Sequence, residues 1–255
     1  MTVRRTLSRV EAWLPQGWVD AVRQVALFVL AELSYETVRG IAEGQRAEAF
    51  ANGGSVIDIE RSTGTFFEPD LQSALINHQW LVDAANWMYM NSHFLVTTTF
   101  MLWLYFYRNP NFYFVRNMFM VAMALAIVGY VLVPTAPPRL YPQEGFVDTI
   151  TQYAQVNHDS GLVKIFINPY AAIPSMHCAF SMMIGVTGAM LARHRVTRVL
   201  WCLYPATVFF VVLVTANHFW IDGALGWTVA GLSAVTATML ARVRPAVWSW
   251  RPATA

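Results

Sequence analysis

Three short stretches of this chain carry side chains able to do nucleophilic and acid–base chemistry. In Asn217-His218-Phe219-Trp220-Ile221-Asp222-Gly223 a histidine and a carboxylate stand four apart, which puts them on one face of a helix. A carboxylate beside one imidazole nitrogen fixes the tautomer and leaves the other nitrogen basic or nucleophilic. In Pro174-Ser175-Met176-His177 the proline suits a first helical turn, and the backbone N–H groups there, with Ser175, suit an anion. His177 lies one turn in, close to that anion. In Pro134-Thr135-Ala136-Pro137-Pro138-Arg139 three prolines stiffen a loop that ends in a guanidinium, a bidentate fork for phosphate. Together these parts suit phosphoryl transfer through a covalent phosphohistidine. His218 would attack phosphorus, Asp222 would orient it, and His177 would protonate the leaving oxygen and then deprotonate water or an acceptor hydroxyl. Arg139 and the helix start would hold the phosphoryl oxygens.

Each part also has a plainer use. A lone His-x-x-x-Asp is a common structural pair, Pro-Ser-x-His opens ordinary helices, and an arginine can anchor a chain at an interface. Two histidines and a carboxylate can also bind zinc or iron. The expectation is no metal and no cofactor: His-Glu-x-x-His, a P-loop, Gly-x-Gly-x-x-Gly and Cys-x-x-Cys are all missing from the sequence. His93, near Asn86, Tyr89 and Asn91, is a candidate to line the same cavity, or else bonds a neighbouring helix. His78, His158 and His194 are expected at the surface.

The elements that must position these groups follow from composition. Of 255 residues, 56 % are hydrophobic and only 13 % charged, against about 25 % charged in an ordinary soluble domain. That excludes a disordered chain, a coiled coil and a nucleic-acid binder, and makes an ordinary cytosolic enzyme a poor fit. A helix needs about 20 apolar residues to cross a bilayer. Runs of that kind predict spans over 83–107, 114–133, 174–192, 198–216 and 221–241. A weaker sixth, 19–38, is interrupted by Arg23, Glu32 and Glu36; it is a span, or an amphipathic helix lying in the interface. Residues 39–80 read as interfacial helices in the first outer loop. Residues 134–173 form a loop of a length that is uncommon unless functional. The expected fold is an all-α integral membrane protein, a six-transmembrane-helix bundle, with 1–255 as a single membrane domain.

Charge orients the bundle. With six spans, Arg4, Arg5, Arg9, Arg23, Arg108, Arg116, Arg193, Arg195, Arg198, Arg242, Arg244 and Arg251 share one side, against Arg39, Arg46, Arg61, Arg139 and Lys164 on the other, out of 17 basic residues. Only Glu11 and Asp20 of the 15 acids join the first side. By the positive-inside rule both termini are cytoplasmic, and all three chemistry-bearing stretches face the outside of the cell membrane.

These stretches resemble the three motifs of the phosphatidic acid phosphatase type 2 superfamily. Pro134-Thr135-Ala136-Pro137-Pro138-Arg139, Pro174-Ser175-Met176-His177 and Asn217-His218-Phe219-Trp220-Ile221-Asp222-Gly223 are most similar to its inositol phosphorylceramide synthase (aureobasidin-target) branch. Phe67-Glu68-Pro69-x-Leu71-Gln72 is similar to actinobacterial members of that branch. The resemblance implies a six-helix bundle with a metal-independent site, with His218 as nucleophile, Asp222 as its partner and His177 as acid/base. Two positions depart from the wider pattern: Leu132 stands where a lysine is usual, and Val211-Val212 where Ser-Arg is usual. Lys164, Asn168 or Tyr170 could replace those phosphate ligands. The expected substrate is a lipid phosphate among membrane lipids. The product step is either transfer to an alcohol such as inositol, toward which the branch leans, or plain hydrolysis of a lipid phosphate or polyprenyl pyrophosphate. A non-enzymatic transporter or binder of anionic lipid, holding it on Arg139 and Lys164, is the remaining alternative.

Overall fold

A computed structural model of the chain describes residues 14–43, 45–154 and 170–244. Among them it is all helical: α1 (Gly17–Glu43), α2 (Arg46–Ser62), α3 (Glu68–Leu75), α4 (Gln79–Tyr107), α5 (Asn109–Leu132), α6 (Thr149–Ala154), α7 (Met176–Leu191), α8 (Arg195–Val214) and α9 (Trp220–Val243). Two single 3-10 turns, Pro138–Leu140 and Pro142–Glu144, shape the loop after α5. Helix starts follow local chemistry. Pro69 and Pro110 sit in the first turns of α3 and α5, where a missing N–H costs nothing. Ser175 caps α7 by accepting from Cys178 N at 3.4 Å.

α7 is the central helix. It packs against α4, α5, α8 and α9, and α1 is held on the outside by α5. Small residues make these contacts close. A Cβ on Gly185 would lie 2.6 Å from Pro205 Cγ, and one on Gly188 2.5 Å from the Trp201 ring, so α8 sits directly on α7. A Cβ on Gly226 of α9 would lie 2.2 Å from the Ser175 carbonyl oxygen and 3.2 Å from Ala179 N. Those are backbone atoms, so the helices themselves would have to part. Gly226→Ala is therefore expected to cost about 1–3 kcal/mol of stability by overpacking and to cut activity further, because α7 and α9 carry separate halves of the candidate site. A thermal melt alongside an activity assay checks this; a variant with wild-type melting and activity would contradict the packing.

Among the described residues, three helices are long and apolar enough to cross a membrane by themselves: Asn109–Leu132, Arg195–Val214 and Trp220–Val243. Their length and apolarity point to a membrane protein. The other expected spans differ for identifiable reasons. α7 is apolar but has only 16 residues. α4 runs from Gln79, earlier than the expected 83, and carries Asn86 and Ser92, both buried. α1 continues past 38 to Glu43 and carries Asp20 and Arg23 among exposed Val22, Val25, Phe28 and Leu30. Asp20 accepts from Gln24 (2.8 Å) and from the hydroxyls of Tyr105 (3.2 Å) and Tyr113 (2.8 Å), so its charge ties α1 to α4 and α5. Residues 45–78 fold as the two short helices α2 and α3.

Candidate active site

Backbone hydrogen bonds assemble the site before any side chain is considered. Arg139 N donates to Ala216 O at 2.8 Å, joining the first stretch to the third. Ser175 N donates to Asp222 O at 3.0 Å, joining the second to the third. Thr135 N donates to Tyr170 O (2.9 Å) and Ala172 N to Thr135 O (3.2 Å), a parallel bridge that joins the first to the second. Side chains add to this clasp. Gln72, 2 % exposed, donates to Val147 O and Val214 O (both 3.0 Å) and accepts from Val147 N (2.9 Å). Asn86 and Thr149 exchange two hydrogen bonds, of 3.2 and 3.0 Å, which fasten α6 to α4. Asn52 donates to Pro134 O at 2.8 Å, and Tyr141 donates its hydroxyl to Phe50 O at 2.7 Å.

At the centre, His218 Nδ1 lies 3.4 Å from Asp222 Oδ2. That is longer than a formed N–H···O bond, and Nδ1 has no other partner; such catalytic bonds commonly tighten only when substrate binds. Asp222 Oδ2 accepts from Phe219 N at 2.9 Å, so the same carboxylate caps α9 and faces the imidazole. The His177 ring stands 6.0 Å from the His218 ring, centroid to centroid. Arg139 Nη1 donates to Asn217 Oδ1. Asn217 is itself fixed by its amide, which donates to Thr215 Oγ1 (2.8 Å) and Thr215 O (3.2 Å). The guanidinium is thus anchored to the residue that precedes His218.

The other expected residues are placed as follows. His93 lies 4.6 Å from the His177 ring and stacks on Phe180 at 5.0 Å. Tyr89, which spacing alone did not single out, stacks on His177 at 4.4 Å. Ser175 is fully buried. Its N–H goes to Asp222 O and its hydroxyl accepts from Cys178 N, so the expected open N–H at this position is occupied within the protein. Tyr170 packs its ring 6.2 Å from Phe50. Lys164, Asn168 and His158 lie outside the described residues; His78 and His194 are exposed. Among the described residues, no group of three or more His, Cys, Asp or Glu is arranged to hold a metal ion.

Two buried acids were not legible from spacing. Glu60 of α2 and Glu68 at the start of α3 are both 0 % exposed. Glu68 accepts from Phe67 N (3.1 Å) and from Trp220 N (2.9 Å), so it pins the first residue of α9. Burial, then the neighbouring charges of Glu68 and Asp222, push the Glu60 carboxyl up to about 9. A sequence signal existed only for Glu68, through the Phe67-Glu68-Pro69 stretch.

Comparison with known proteins is consistent with this geometry. No curated protein and no solved structure matches the chain. The family model described as PAP2 superfamily matches residues 54–236, which run from the second half of α2 through most of α9 and include Tyr89, His93, Arg139, Ser175, His177, His218 and Asp222. More than half of the chain is covered, and the chain belongs to the PAP2 superfamily.

Proposed function

We propose that the protein is a membrane-embedded lipid phosphate phosphatase or phosphotransferase that works through a phosphohistidine on His218. Membership of the PAP2 superfamily suggests phosphatase-type activity on lipid phosphates. The observation that carries the finer reading is His218 held between Asp222 on its Nδ1 side and the His177 ring 6.0 Å away, with Arg139 tethered beside it. With Nδ1 facing Asp222, Nε2 is the nucleophile. Nε2 attacks phosphorus, an N–P bond forms and the P–O bond to the leaving group breaks, while His177 delivers a proton to the departing oxygen. His177 then takes a proton from the incoming hydroxyl, whose oxygen attacks phosphorus as the N–P bond breaks. Arg139 offsets the charge on the phosphoryl oxygens in both steps. Tyr89 holds the His177 ring by stacking, and His93 packs against it at a tilt.

The likeness of the three stretches to the inositol phosphorylceramide synthase branch supports head-group transfer, with an alcohol such as inositol as acceptor. With water as acceptor the same intermediate gives hydrolysis. α1, α4 and α7 are proposed to complete a six-span bundle in the cell membrane, with both termini cytoplasmic. The distribution of arginine supports a site on the extracytoplasmic side.

The purified protein in detergent, offered lipid phosphates, polyprenyl pyrophosphates and phosphoinositides with and without inositol, is expected to turn over at the same rate with EDTA present. Free phosphate would identify hydrolysis and a new phosphodiester would identify transfer. Turnover abolished by EDTA would replace the histidine mechanism with a metal-dependent one, and no turnover on any lipid would favour a binder or transporter of anionic lipid.

A further inference from the structure

Three carboxyl groups converge beside the start of α9: Glu60 from α2, Glu68 from α3 and Asp222 from α9 itself. Their hydrogen-bond donors are unequal. Glu68 has two backbone N–H groups. Asp222 has one, and faces His218. Neither oxygen of Glu60 has a donor in full hydrogen-bond geometry, the Ile221 N–H being the backbone group that acts on it, and Asp222 Oδ1 has none either. The other titratable groups around Glu60 are engaged elsewhere. Arg61 pairs with Glu144 at the surface, Tyr141 donates to Phe50 O, and His218 faces Asp222. No described cation pairs with Glu60.

An ionised carboxylate without donors, buried beside two other carboxylates, is the costliest arrangement available to this set. A proton on the group with fewest donors relieves it. That proton turns Glu68 from a repelling neighbour into a hydrogen-bond acceptor, with Glu68 already close enough to act on Glu60 in that way. We propose that Glu60 is held as a neutral carboxylic acid that donates to Glu68, and that it is a positioning residue for the His218–Asp222 pair. It acts through Glu68, whose carboxylate pins Trp220 N, two residues before Asp222. Ionising Glu60 drives it and Glu68 apart and loosens the start of α9. The effect on turnover rests on the function proposed above; the protonation itself does not.

The sign of the pH effect follows. The folded chain binds this proton up to about pH 9, whereas an unfolded glutamate releases it near 4.5. Stability contributed by the proton is therefore complete below about 4.5 and is lost as pH rises toward 9. Glu60→Gln keeps a neutral donor at every pH. Its melting temperature relative to wild type is expected to climb steadily between pH 5 and pH 9. A carbonyl stretch typical of a protonated carboxylic acid should be present in the infrared spectrum of wild type at neutral pH and absent from Glu60→Gln. Turnover should persist in Glu60→Gln at neutral pH and extend to higher pH than in wild type. In Glu60→Ala it should fall by roughly tenfold, the scale for losing an outer-shell hydrogen bond. A melting difference that stays flat with pH, or a missing infrared band, would overturn the neutral acid, whether or not the protein turns over any lipid. With those two intact, Glu60→Gln as inactive as Glu60→Ala would overturn its positioning role, while inactive wild type would count against the proposed function alone.

Discussion

His218→Ala is expected to lower kcat/KM for any lipid phosphate by about four orders of magnitude or more, on the scale seen when a catalytic nucleophile is removed. The variant keeps Arg139, His177 and Asp222, so on the proposed mechanism it would keep the phosphate ligand and the proton donor but could not form the N–P bond. The fold should survive. His218 is 5 % exposed, and its backbone N–H bonds Val212 O at 3.3 Å whatever its side chain. The stretch around it is pinned by Arg139 N and Ser175 N, both backbone donors. An intact melting transition with lost turnover, and loss of acid-labile phosphate label on the protein, would locate the nucleophile here. Activity within tenfold of wild type would remove His218 from that role and leave His177 as the histidine to test.

Asp222→Asn should reduce kcat by about 10²- to 10⁴-fold with little change in melting temperature, as expected when the carboxylate behind a catalytic imidazole loses its charge. The geometry makes this substitution discriminating. Asp222 Oδ2 serves both as the acceptor for Phe219 N, 2.9 Å away, and as the neighbour of His218 Nδ1. An asparagine oxygen can keep the first role, but the amide has no charge with which to stabilise the imidazolium or set its tautomer. Asp222→Ala would lose both, with about 1 kcal/mol of capping added to the damage. If Asp222→Asn were fully active, the residue would be a helix cap and nothing more.

The meeting of the three stretches was legible from the expectation that successive apolar helices alternate direction, which brings every second connection to the same face; backbone hydrogen bonds join the three. That argument needs only hydropathy and counting, and it brought Arg139, His177, His218 and Asp222 to one end of the bundle without contact information. The span limits were less legible. Apolarity marks the part of a helix that faces lipid, whereas α4 turns Asn86 and Ser92 inward and α1 carries Asp20 to a pair of tyrosines. Polar residues used inside a membrane helix lower the very signal by which it is found. The burial of Glu60, Glu68 and Gln72 was illegible for a different reason. They lie on α2 and α3, short helices where acidic and amide side chains are expected to face water, and only tertiary contacts show that these three are buried. Asn217 stood in view beside His218, but its hold on Arg139 depends on a turn that no local periodicity specifies.

α7 also bears on how deep the chemistry takes place. Its 16 residues rise about 24 Å, some 6 Å short of a hydrocarbon core of about 30 Å. It is the helix around which α4, α5, α8 and α9 are packed, and His177 is on its first turn. If α7 crosses the bilayer as proposed, with its far end level with the opposite boundary, its near end stops about 6 Å inside the hydrocarbon edge. On the proposed function, the lipid phosphate and the water or alcohol that accepts its phosphoryl group would then both have to descend to reach His218, and what fits that descent would decide between free phosphate and a new head group.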